Sequence, residues 1–64
     1  MQLKNKLKEI RLLRGMTQRE IAEKLGIEQS TISLYETGER MPNAAMAAKI
    51  ASTLGVSFND IFLI

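Results

Sequence analysis

The run Thr17-Gln18-Arg19-Glu20-Ile21-Ala22-Glu23-Lys24-Leu25-Gly26-Ile27-Glu28-Gln29-Ser30-Thr31-Ile32-Ser33-Leu34-Tyr35-Glu36-Thr37-Gly38 constrains the fold most, because it writes two short amphipathic helices around one glycine turn. Thr17 with Glu20 three positions later matches a capping box, and Met16 and Ile21 take the positions of a hydrophobic staple. A helix therefore starts near Gln18. Ile21, Ala22 and Leu25 give it one apolar face, and Gly26 can adopt the left-handed conformation that ends a helix and reverses the chain. A second helix has to begin almost at once.

At about 100° per residue, Ile32, Tyr35 and Glu36 fall on one side of that second helix, and Gln29, Ser30, Ser33, Leu34 and Thr37 on the other. A face that meets only water usually carries Lys and Glu. This one is short and uncharged. Gln can pair bidentately with adenine, Ser can bond several base edges, and an exposed aliphatic group can touch a thymine methyl, so the face suits a DNA major groove. Ser, Thr and Gln are also ordinary on helix surfaces, and the face alone leaves both readings open.

The remaining segments read as scaffold. Leu3, Leu7, Ile10 and Arg14 share a helical stripe over roughly residues 2 to 14, with Arg11 flanking it and Gly15 able to end the helix. Glu39 to Asn43 is a loop in which Pro42 interrupts helical pairing and Asn43 can cap the next helix. That helix, Ala44 to Leu54, buries Ala47, Ile50, Ala51 and Leu54, with the flexible Met46 filling space the alanines leave. Gly55 closes it and Ser57 caps a last helix, with Val56 and Ile61 in staple positions and Asp60 complementing the helix dipole. The apolar end Ile61-Phe62-Leu63-Ile64 exceeds what one short helix hides. It has to cover the first helix, against Leu3, Leu7 and Leu12, or a second subunit.

Composition excludes more than it specifies. Sixty-four residues allow one domain, spanning 1–64. The absence of cysteine and histidine removes disulfides, thiol catalysis and the usual structural zinc sites. No nucleophile–base pair or phosphate-binding glycine loop is legible, so the expectation is no enzyme, no cofactor, no metal and no small-molecule substrate. No apolar run approaches the roughly 18 residues of a membrane span, and Met1-Gln2-Leu3-Lys4-Asn5-Lys6 leads into a charged helix, so a cytoplasmic chain without a membrane partner is expected. The net charge of +2 is modest, but Lys4, Lys6, Lys8, Arg11, Arg14 and Arg19 crowd the first nineteen residues against Glu9 alone, which predicts one basic end.

The run Thr17-Gln18-x-Glu20-Ile21-Ala22-x-x-Leu25-Gly26-Ile27, then Ser30-x-Ile32-Ser33-x-Tyr35-Glu36-x-Gly38-x-Arg40-x-Pro42, then Ile50-Ala51-x-x-Leu54-Gly55-Val56 resembles the Cro/C1-type (XRE-like) helix-turn-helix family of phage and bacterial repressors. The resemblance covers nearly the whole chain. It implies an all-α, five-helix, lambda-repressor-like DNA-binding domain with the helix-turn-helix in helices 2 and 3. It departs at Ala47, where relatives tend to have leucine, and at Glu28, where the cap before the recognition helix is usually Ser or Thr.

The resemblance also implies roles. Gln29, Ser30, Ser33 and Leu34 would read bases. Gln18 would bond a phosphate and brace Gln29, while Arg19, Arg40 and Thr37 would contact the DNA backbone. Arg11 and Glu36 would form a structural ion pair. The expected function is a sequence-specific transcriptional regulator of double-stranded DNA, a repressor acting as a homodimer through its C-terminal third on two related half-sites, in the cytoplasm with the nucleoid. The alternative is a protein-interaction or antitoxin-type module on the same fold, using the apolar tail or the Leu12-Leu13 pair.

Overall fold

The computed structural model describes residues 5–62. Along them run five helices, α1 (Leu7–Leu13), α2 (Gln18–Leu25), α3 (Gln29–Thr37), α4 (Ala44–Leu54) and α5 (Phe58–Ile61). Local signals set most of the boundaries. The Thr17 hydroxyl accepts from the Glu20 amide at 3.0 Å and the Glu20 carboxylate accepts from the Thr17 amide at 2.9 Å, closing the capping box that starts α2. Asn43 Oδ1 accepts from the Met46 amide at 2.8 Å to start α4. Asp60 receives the Ser57 amide and hydroxyl at 2.9 and 3.0 Å, which fixes the entry to α5.

The largest fully buried side chains are Leu7, Ile21, Ile32, Ile50 and Ile61, so every helix contributes one aliphatic anchor to the same cluster. Ala47, Ala51 and Leu54 join from α4, and the half-buried Met46 packs against the core as its flexible side chain suggests. Met16 and Val56, the outer halves of the two staples, also pack on it.

The first helix departs from expectation. It begins at Leu7 rather than near residue 2, because Asn5 and Lys6 are engaged elsewhere. Asn5 Oδ1 accepts from the Leu7 amide at 3.0 Å while its Nδ2 donates to the Tyr35 carbonyl at 2.8 Å, and the Lys6 amide donates to the Ile61 carbonyl at 2.8 Å. Asn5 also forms an isolated antiparallel bridge with Phe62. Leu3 and Lys4, and the tail residues Leu63 and Ile64, lie outside the described residues. The buried stripe is Leu7, Ile10 and Arg11, not one ending at Arg14. Arg14 stands outside, past the last turn of α1, where its Nε donates to the Leu54 carbonyl at 2.9 Å, an acceptor that the end of α4 leaves unpaired. Leu12 is 57% exposed, whereas Ile61 and Phe62 are buried in the chain's own core.

The Arg11–Glu36 pair is present. Arg11 Nε lies 2.6 Å from Glu36 Oε2 with both side chains almost wholly covered, Nη2 reaches Oε1 at 3.3 Å, and Nη1 donates to the Met16 carbonyl at 2.8 Å. The guanidinium thus clamps α1, the α1–α2 connection and α3 with a forked contact of the kind that Arg makes and Lys cannot. Truncating either partner leaves the other charge covered and unpaired, a loss of about 3–5 kcal/mol. In urea melts, Arg11→Ala and Glu36→Ala should each lower stability by about that much, and the double variant should lose less than the two losses combined. Strict additivity would refute the coupling.

Acid sensitivity follows from the two short carboxylate clasps. The Thr17 backbone amide, then its hydroxyl, holds the Glu20 carboxyl below the usual glutamate range. The Ser57 amide, then its hydroxyl, does the same for Asp60. Because both folded-state values are depressed, their contribution is present above the ordinary carboxylate range and is lost as pH falls through the folded values. Urea melts from neutral pH to about pH 3 should therefore show a shallower acid decline for Glu20→Gln/Asp60→Asn than for the parent. An equally steep decline would place acid sensitivity elsewhere.

Candidate nucleic-acid interface

Gly26 at φ +71° ends α2, and the chain enters α3 through Ile27 and Glu28, whose amide and carbonyl groups tie the turn: Ile27 N–H donates to the Ala22 carbonyl at 3.0 Å and Thr31 N–H to the Glu28 carbonyl at 3.1 Å. Ile32 and Tyr35 anchor α3 inward. Its opposite side is then fixed outward, with Gln29 and Ser30 exposed and Ser33 and Leu34 half-buried.

These side chains converge. Gln18, Gln29, Ser30, Ser33 and Leu34 line one shallow, open depression across the start of α2 and the outer face of α3. All four expected base readers are thus brought together with Gln18. The depression presents amides, hydroxyls and one aliphatic group, a set able to accept, donate and make apolar contact.

Gln18 carries a connection that the sequence reading missed. Its Nε2 donates to Glu36 Oε1 at 2.9 Å, while its Oε1 accepts from Gln29 Nε2 at 3.4 Å. The brace between the two glutamines was legible through the family resemblance, and so was the Arg11–Glu36 pair. That one glutamine joins them was not, because it needs the relative placement of α2 and α3. Asn5 was missed for the same reason, its amide meeting the Tyr35 carbonyl of α3 across the fold.

The expected backbone contacts surround the depression less tightly. Arg19 is exposed, its Nε 3.5 Å from Glu23 Oε1 one turn along α2, a surface pair of small energetic weight. Arg40 is exposed, and its amide donates to the Leu34 carbonyl at 3.2 Å, which ties the loop to the end of α3. The Thr37 hydroxyl donates to the Leu34 carbonyl at 3.1 Å and accepts from the Glu39 amide at 3.4 Å, so its proton is directed into its own helix end. Thr37 does not line the depression. The basic end is also thinner than the sequence suggested. Arg11 is buried against Glu36, and Arg14 is bonded to the end of α4.

A family model described as helix-turn-helix matches residues 7–61. An uncharacterized HTH-type transcriptional regulator of Methanocaldococcus jannaschii is 44% identical over 61 residues, covering 95% of this chain and 92% of that protein. The transcriptional repressor RstR of the cryptic phage CTXphi in Vibrio cholerae is 31% identical over 61 residues, 95% of this chain and 54% of its own length. Among solved structures, the restriction-modification controller protein C.AhdI of Aeromonas hydrophila superposes with a TM-score of 0.79 at 25% identity, over 86% of this chain and 83% of that one.

Glu28 stands at the cap of α3 with extended backbone and makes no side-chain hydrogen bond to the helix. A serine there would supply the missing acceptor. Glu28→Ser should raise stability by about 0.5–1 kcal/mol in urea melts. A drop would mean that the glutamate charge beside the helix N-terminus outweighs the absent cap.

Proposed function

Because this chain belongs to the Cro/C1-type helix-turn-helix family of transcriptional regulators, we propose that it is a sequence-specific repressor that binds double-stranded DNA as a homodimer on two related half-sites. The observation that carries the reading is the uncharged depression lined by Gln18, Gln29, Ser30, Ser33 and Leu34 on the outer face of α3. In this reading α3 enters the major groove N-terminus first, and Gln29 pairs with adenine while Ser30, Ser33 and Leu34 complete the base contacts. Arg19 and Arg40, together with the second amide proton of Gln18, hold phosphates and set the register. The similarity to a phage repressor supports repression, the simplest form of which is occlusion of polymerase.

A module this small touches few base pairs, so two copies on half-sites about 34 Å apart would supply the affinity. Ile61 and Phe62 serve the chain's own core, and among the described residues the half-buried Val56 and Phe58 are apolar groups of the C-terminal third that a partner copy would meet in this reading. One observation favours a second reading, an interaction module of the antitoxin kind: Leu12 and Leu13 are 57% and 76% exposed on α1.

Selection of bound sites from a random duplex pool tests the proposal. It should return two related half-sites occupied by two copies, with affinity falling steeply as salt rises. Gln29→Ala should cost about 1–3 kcal/mol on the selected site and relax one position of each half-site, leaving the salt slope unchanged. Arg19→Ala should weaken all sequences alike and reduce that slope by about one unit. A flat salt response with no selected sequence would favour the interaction module, and one copy on an asymmetric site would overturn the dimer.

A further inference from the structure

Several carboxylates of this chain are held by near neighbours: Glu36 by Arg11, Glu20 by Thr17, Asp60 by Ser57 and Glu23 by Arg19. Glu28 is not. It is exposed at the cap of α3, bonds none of that helix's first amides, and has no hydrogen-bond or ion-pair partner for its carboxylate among the described residues. Its backbone is the extended one that a cap requires, at φ −73° and ψ 145°, so what is missing is the part a side chain plays. At the same position of α2 and α4, Thr17 accepts the Glu20 amide at 3.0 Å and Asn43 the Met46 amide at 2.8 Å.

The position has a geometric consequence. Gln29, the next residue, lines the depression, and a helix entering the major groove N-terminus first brings its cap and first turn nearest the base edges. Glu28 travels with it, carrying a negative charge between two rows of phosphates. Charges within about 8–10 Å are only partly screened, so on an arbitrary sequence the carboxylate is repelled. A donor on a base edge offsets that repulsion. A carboxylate accepts and cannot donate. In the major groove guanine shows two acceptors, and thymine an acceptor and a methyl group. Adenine sets its N7 acceptor beside its N6 donor, whereas cytosine shows the N4 donor with no acceptor of its own.

We propose that Glu28 is a specificity-determining residue: it selects cytosine in a base pair adjoining the one that Gln29 reads, and it disfavours duplexes that lack this donor. This rests on the proposed entry of α3 into the major groove. The absent cap and the selectivity then have one origin. A serine would turn back to the helix and stabilise it, while the glutamate stays free for a base.

Sites are selected from a random duplex pool with the purified parent and with Glu28→Ala. Affinities are then measured on the parent site, on that site with the adjoining C·G pair exchanged for T·A, and on random duplex. The parent should require cytosine beside the position that Gln29→Ala relaxes. Glu28→Ala should lower the cytosine preference on the order of tenfold and bind random duplex more tightly than the parent does. Glu28→Gln, nearly the same shape but able to donate as well as accept, should lose the preference too. Glu28→Ser should lose it while its urea midpoint rises, which separates selectivity from folding. If Glu28→Ala tightens every duplex alike and leaves base preferences unchanged, the carboxylate is a repulsive charge and the inference is overturned. Parent sites without a C·G pair at the adjoining positions overturn it as well. In either case relaxation by Gln29→Ala leaves the base-reading face standing, whereas no relaxation by Gln29→Ala or by Glu28→Ala sinks that face itself.

Discussion

The buried contact between Arg11 and Glu36 is the constraint on which the arrangement of this molecule depends. The core encloses the side chains of both partners almost wholly, and Arg11 faces α3 from α1 while bonding the carbonyl of Met16 between α1 and α2. Covering two charges is costly, and apolar residues of similar size are often as stable or more so. What such residues would not supply is direction. A carboxylate locked by a guanidinium presents a fixed acceptor to Gln18, and an apolar core has no equivalent way to tell an amide which end to turn outward. Here the polar contact in the core and the polar surface of the depression are parts of one hydrogen-bonded chain.

The depression itself is uncharged, and the cations stand at its margins or are engaged elsewhere. This separates two tasks that a more basic face would merge. Phosphate attraction is long-ranged and indifferent to sequence, whereas amide and hydroxyl contacts need close approach and correct polarity. In the proposed reading, the uncharged central groups contribute little until a base edge matches them.

Legibility followed range. The Thr17–Glu20 box, the Asn43 cap and the helix-ending glycines at positions 15, 26 and 55 were readable because each depends on a few adjacent residues. The face of α3 was readable because its helical period was clear and its residue types unusual. The start of α1 was not, since Asn5 and Lys6 are diverted by Tyr35 and Ile61, partners far along the chain. The end of α1 was misjudged too: the helix stops at Leu13, so Arg14 leaves the apolar stripe to meet Leu54, while Arg11 takes the covered place. Leu12, read as cover for the tail, is exposed. The bond from Gln18 to Glu36 escaped because it joins two helices whose mutual placement no local pattern states.

The pairing of Asn5 with Phe62, with the Lys6 amide on the Ile61 carbonyl, joins the two ends of the described chain. Closing so long a loop carries a larger entropic cost than closing any of the helical turns within it. Contacts of that span are favourable only when the intervening segments have already docked, which ties them to completion of the fold rather than to its nucleation. The bridge therefore works as a check on assembly: Ile61 and Phe62 find their places only against a finished set of helices, so a partly assembled chain would leave both exposed.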